Sequence, residues 1–151
     1  MIGGVRSFIL ILAVVISGCG DGARSGPEVS DARIGQTTGA NGALYFTARG
    51  YGSADRLVGA STVVAASAEL HQTVIDSDGT AAMRSLNSID LPRSGRLVLE
   101  PGGLHVMLVG VDGLEVGAKV EVSLFWENVG EMTIEAVVVE VSDIMGGHDS
   151  G

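Results

Sequence analysis

An all-β domain, built as an antiparallel sandwich, is what this 151-residue sequence predicts, and three observations predict it. Glycine is abundant, at 23 residues, and clusters of turn-forming residues recur at short intervals. Between those clusters lie short runs rich in valine and leucine, two of them strictly alternating between apolar and polar. Stretches with a sustained 3.6-residue apolar period are hard to find.

The first segment does not belong to that domain. Arg6 closes a short basic region, Phe8 to Ile16 are apolar, and "ISGC" ends at Cys19. A helix needs about 20 apolar residues to span a bilayer, so the run reads as a targeting segment instead. "ISGC" resembles the bacterial lipobox, which implies that residues 1–18 are removed and that Cys19 is acylated as a membrane anchor. The mature protein is then expected to work outside the cytoplasm. Residues 19–28, with "GDGARSGP" at 20–27, read as the lipidated cysteine and a flexible tether. The domain itself is expected over 29–141, and "SDIMGGHDSG" after it as a frayed, disordered tail over 142–151.

Within the domain, strands are expected at Val29 to Ile34, Ala43 to Ala48, Arg56 to Ser61, Ala68 to Ile75, Thr80 to Ser85, Gly95 to Leu99, Leu104 to Val109, Lys119 to Trp126 and Met132 to Val141. The punctuation between them is "TTGANG", "GYGSAD", "DSDG", "LPRSG", "EPGG", "DGLEVGA" and "ENVG". "STVVAASAEL" is the ambiguous stretch, since its alanines tolerate a helical turn while Val63 and Val64 oppose one. In "KVEVSLFWE", Val120, Val122, Leu124 and Trp126 fall on one face, with Lys119, Glu121 and Ser123 on the other. Met132, Ile134, Ala136 and Val138 alternate in the same way along "EMTIEAVVVE". Joined by a tight "NVG" turn, the two make a hairpin buried on one side. Two such sheets, apolar faces inward, make the sandwich.

Composition narrows the function. The formal net charge is −9, with one lysine, Lys119, among nine basic residues. No basic stripe is available to hold phosphates, which argues against nucleic acid. Cys19 is the single cysteine, so an intramolecular disulfide is excluded, and acylation would leave no thiolate for a metal or for nucleophilic attack. There is no GxSxG, HExxH, P-loop or strand-to-helix GxGxxG pattern, so an enzyme is not expected. Asp76 and Asp78 read as turn formers in "DSDG". A monomer is expected.

What remains are the rare soft and imidazole ligands. The three histidines are His71, His105 and His148, and Met83, Met107 and Met132 fall in expected strands. His105 and Met107 are two apart in one strand and share a face. If the "DSDG" loop is centred near Ser77, His71 and Met83 are cross-strand partners with Cβ atoms about 5 Å apart, unless a bulge at Gly79 shifts the pairing. Two imidazoles with two thioethers favour Cu(I) over hard cations, and only the histidines make such a site pH-dependent.

"LVGAS", "AELH" and "LEPGGLHVML" resemble the PCu(A)C copper-chaperone family, whose signature is His-x10-Met-x21-His-x-Met. Here the pattern is His71-x11-Met83-x21-His105-x-Met107, with one additional residue across "DSDG", where insertions are tolerated. The resemblance runs from about Val29 to Val141. It implies a cupredoxin-like Greek-key sandwich in which His71, Met83, His105 and Met107 ligate Cu(I). It also implies delivery to the dinuclear copper centre of cytochrome c oxidase, in its copper-bearing subunit, alongside a Sco-type thioredoxin-like protein. Many relatives carry further methionines beside these positions, and Thr73 and Ala81 occupy the plausible equivalents here. Met145 and His148 are too sparse to form the histidine- and methionine-rich tail of some relatives. Copper storage or scavenging would use the same four ligands, and a metal-free adhesion module would use none. A blue-copper carrier needs a cysteine thiolate that the domain lacks.

Overall fold

The computed structural model describes residues 26–36 and 39–146; the expected targeting segment, Cys19 and His148 lie outside them. Ten strands carry the fold: β1 (Glu28–Gln36), β2 (Asn41–Arg49), β3 (Asp55–Ser61), β4 (Ser67–Ile75), β5 (Ala81–Ser85), β6 (Ile89–Leu91), β7 (Arg96–Leu99), β8 (Leu104–Val109), β9 (Lys119–Trp126) and β10 (Gly130–Val139). A short helix, α1 (Val141–Met145), follows. Their hydrogen-bonded order is β5-β4-β8-β2-β1-β10-β9-β3-β6, with β7 also on β2. This path does not close into a barrel, and the expected antiparallel Greek-key sandwich is the architecture formed. Alternation places Leu44, Leu70, Val106 and Leu108 of one half against Leu57, Val122 and Leu124 of the other in one buried cluster. Removing these side chains from water is the main stabilising term.

The β9–β10 hairpin has the expected pairing, with Trp126 opposite Gly130 and Leu124 opposite Met132. Val120, Val122, Leu124 and Trp126 all point into the core. Three features differ from the sequence reading. β1 and β10 run parallel, within an otherwise antiparallel set of pairs; periodicity reveals which face a residue takes but not its neighbour's direction. β6 was not expected, because three residues hold a single alternation. Residues 142–145 are helical rather than frayed, since Ile144 is 6% exposed and anchors α1 on the sheet.

β7 and β8 lie along the same edge of β2, Leu99 opposite Phe46 and Val106 opposite Leu44. The "EPGG" turn between them therefore leaves the sheet and returns. Its neck is closed by Glu100 N–H donating to the Leu104 carbonyl at 2.9 Å. Gly102, at φ +78°, makes the left-handed turn that a side chain would resist.

Candidate functional site

The site forms on the outer face of the half-sheet β5-β4-β8-β2, the face opposite the core. His71 on β4 stands directly across from His105 on β8, and Glu69 across from Met107. The two imidazole centroids are 5.8 Å apart, edge to face at 74°. Met107 is opposite Ala43 on β2, and the Tyr45 ring lies 6.3 Å from that of His105.

The expected pairing of His71 with Met83 is corrected. Met83 is opposite Thr73, and His71 is opposite Ser85. The cause is the turn: Gly79 adopts φ +84° and donates to the Asp76 carbonyl, while Asp76 N–H donates to Thr80. The loop is consequently centred on Asp78, one residue beyond Ser77. A shift of one in the centre moves each partner by two, so side chains keep their face. Met83 remains beside His71 as a diagonal neighbour, where Cβ separations of about 7–8 Å are within reach of a long side chain. Asp78 accepts from Thr80 N–H at 3.0 Å, the turn role expected of it.

Two hydrogen bonds set the tautomers of the histidines. The carbonyl of Gly103, in the "EPGG" excursion, accepts from His105 Nδ1–H at 3.2 Å and from Thr73 N–H at 3.0 Å. A carbonyl cannot donate, so His105 Nε2 carries the lone pair. The Glu69 carboxylate accepts from His71 Nε2–H at 3.0 Å, leaving the lone pair on Nδ1. Both bare nitrogens, His71 Nδ1 and His105 Nε2, are buried without a hydrogen-bond partner. The third such atom among the described residues is Trp126 Nε1, an indole N–H that cannot ligate a metal. Burial pushes the His105 imidazole below its ordinary pKa, opposed by the Gly103 carbonyl and reinforced by nearby His71. The neutral, ligating form is thereby favoured.

A cavity of about 200 Å³ opens beside His105, walled by Met83, Met107, Tyr45, Thr73 and Pro101 and, from α1, by Met145. No charged side chain contributes to its wall. His71 stands beside the cavity rather than on its wall. Met83 is 58% exposed, whereas His105 is 3% exposed, so the set runs from surface to interior. Among the described residues no group of three or more His, Cys, Asp or Glu side chains is placed to hold a metal. The donors present are soft and neutral, suited to Cu(I) and unsuited to Mg²⁺ or Ca²⁺.

Sequence reasoning passed over Glu69, Tyr45 and α1. Glu69 was legible, since it sits two residues before His71 in "AELH" and so shares its face. Tyr45 and Met145 carried no comparable signal, because both reach the site only through tertiary packing. Of the positions expected to match auxiliary methionines, Thr73 lines the cavity, and Ala81 is opposite Ile75 at the exposed end of the hairpin.

The family model described as "Putative lipoprotein LpqE-like" matches residues 28–138. A protein of Leifsonia xyli subsp. xyli named "Putative lipoprotein Lxx21020" is 29% identical over 127 residues, covering 83% of this chain and 75% of that one. Among solved structures, the copper-bound PCuAC domain from PmoF2 aligns with a TM-score of 0.63 at 25% identity, over 76% of this chain and 92% of that one. The solution structure of the Cu(I) form of DR1885 from Deinococcus radiodurans aligns with a TM-score of 0.63 at 29% identity, over 80% and 83%.

Proposed function

The chain belongs to the LpqE-like family, and on that premise we propose that it is an extracytoplasmic copper metallochaperone and not an enzyme. It binds Cu(I) as cargo through His71, Met83, His105 and Met107, and Cys19 carries the lipid that holds it at a bacterial membrane. Its acceptor is the dinuclear copper centre of cytochrome c oxidase, reached alongside a Sco-type thioredoxin-like protein. The likeness to copper-bound and Cu(I)-bound PCuAC structures supports the metal. The name of the Leifsonia relative supports the anchor.

One observation carries the reading: two buried imidazole nitrogens, each left bare by a hydrogen bond on the far side of its ring, stand beside two thioethers. A second partner holding the other ring nitrogen is the usual arrangement for a metal-ligating histidine. A donor set without any anion grips Cu(I) less firmly than a thiolate pair, which suits a carrier that releases its ion. The test is anaerobic transfer from the Cu(I)-loaded protein to a purified oxidase copper domain. Stoichiometric movement of copper is expected, and copper retained by the donor would replace delivery with storage.

A further inference from the structure

The helix α1 puts a third thioether at the same cavity, and we propose that Met145 is an additional sulfur ligand at the cavity mouth. The inference rests on the copper reading above. Val141, Ile144 and Met145 are spaced i, i+3, i+4 and so share one face of the helix. All three border the cavity walled by Met83, His105 and Met107.

Their position is built into the sheet. A Cβ on Gly35 would collide with Ile144 Cδ1 and lie 3.6 Å from Val141 Cγ2. Glycine at 35 therefore admits the helix, and Ile144, at 6% exposure, is the residue that docks it. Docking needs nothing further from Met145, which remains 68% exposed. A large apolar side chain left in water at the rim of a soft-donor cavity gains nothing from burial. Its thioether, however, matches the ligands already there. Ser142 and Asp143, off this face, are exposed.

Met145 thus meets Cu(I) first on the way in and last on the way out. In the loaded protein it stays in rapid exchange with Met83 and Met107 at the exposed side of the ion, above the buried His105. The exchange replaces one Cu–S bond by another and moves neither a proton nor an electron.

Protein labelled with [methyl-13C]methionine and titrated anaerobically with one equivalent of Cu(I) tests this by NMR. The methyl resonances of Met83, Met107 and Met145 are expected to shift, while that of Met132 on β10 stays in place. An unmoved Met145 with shifted Met83 and Met107 would overturn the mouth ligand and leave the copper reading standing. No movement at any methionine would overturn both. In Ile144→Asp, which undocks α1, the Met145 shift is expected to vanish while those of Met83 and Met107 persist; a retained Met145 shift would contradict placement by the docked helix. Met145→Leu keeps the apolar contact, and its Cu(I) affinity is expected to fall about 3- to 10-fold; unchanged affinity would count against ligation.

Discussion

Asp55 and His105 are the two buried polar or charged residues of the described fold, and they are buried in opposite ways. Asp55 accepts from the backbone N–H groups of Arg56, Asn128 and Val129 and from the Tyr51 hydroxyl. Burial pushes its carboxyl up, but the backbone donors, with Tyr51, outweigh that and hold it below the ordinary carboxylate range. This residue is structural, tying the start of β3 to the β9–β10 turn. Asp55→Ala is expected to cost about 2–3 kcal/mol at neutral pH, since several donors lose a charged partner. Because the folded-state value is depressed, the stability from Asp55 is complete above the ordinary carboxylate range and is lost as pH falls through the folded value. Urea unfolding from pH 7 to pH 3 checks this: Asp55→Asn should show a shallower acid loss than the parent, and parallel curves would contradict it. His105, by contrast, keeps a bare Nε2 that costs on the order of 1–3 kcal/mol in a buried position and has no structural return. His105 lines the cavity, where an entering ligand can meet that nitrogen.

Turns, more than strands, decide which residues meet. The strands were legible because alternation in "KVEVSLFWE" and "EMTIEAVVVE" fixes the buried face residue by residue. Pairing across "DSDG" was not fully legible, since spacing alone cannot reveal the left-handed Gly79 that moves the loop centre to Asp78. The site survives because the resulting displacement is even and faces are conserved. Gly79→Ala tests the cause: no atom lies within 4 Å of the added Cβ, so its cost is the backbone's alone. The variant is expected to lose about 1 kcal/mol in denaturant unfolding; an unchanged midpoint would mean that the turn does not need the left-handed conformation. The "EPGG" excursion acts at the same scale, since its Gly103 carbonyl fixes the His105 ring and also holds Thr73 on β4. The helix α1 was missed because five residues followed by two glycines carry too short a period to stand out from a tail. Its docking depends on Gly35, more than a hundred residues earlier in the chain.

At the scale of the molecule, the sandwich divides two tasks between the faces of one half-sheet. The inner face, with Leu44, Leu70, Val106 and Leu108, supplies the core. The outer face, one residue out of phase, carries His71, His105, Met107 and Met83. Replacing these candidate ligands leaves the inner-face side chains of the core in place, and the unfolding midpoint of each metal-free variant separates loss of the site from loss of the fold. Fold class and most strands were legible from periodicity together with a family resemblance, and so was the shared outer face of the four candidate ligands. The parallel β1–β10 join, the hairpin register and the docked helix were not, because each depends on contacts between distant segments. The central claim is that four neutral donors hold one Cu(I), and an anaerobic competition titration against a Cu(I) chelator of known affinity tests it most directly. One equivalent should bind tightly to the parent protein, and the double variant His105→Ala, Met107→Ala should lose at least about 100-fold in affinity, roughly 2.7 kcal/mol, with an unchanged unfolding midpoint for the metal-free form. Equal affinity in parent and double variant would contradict it.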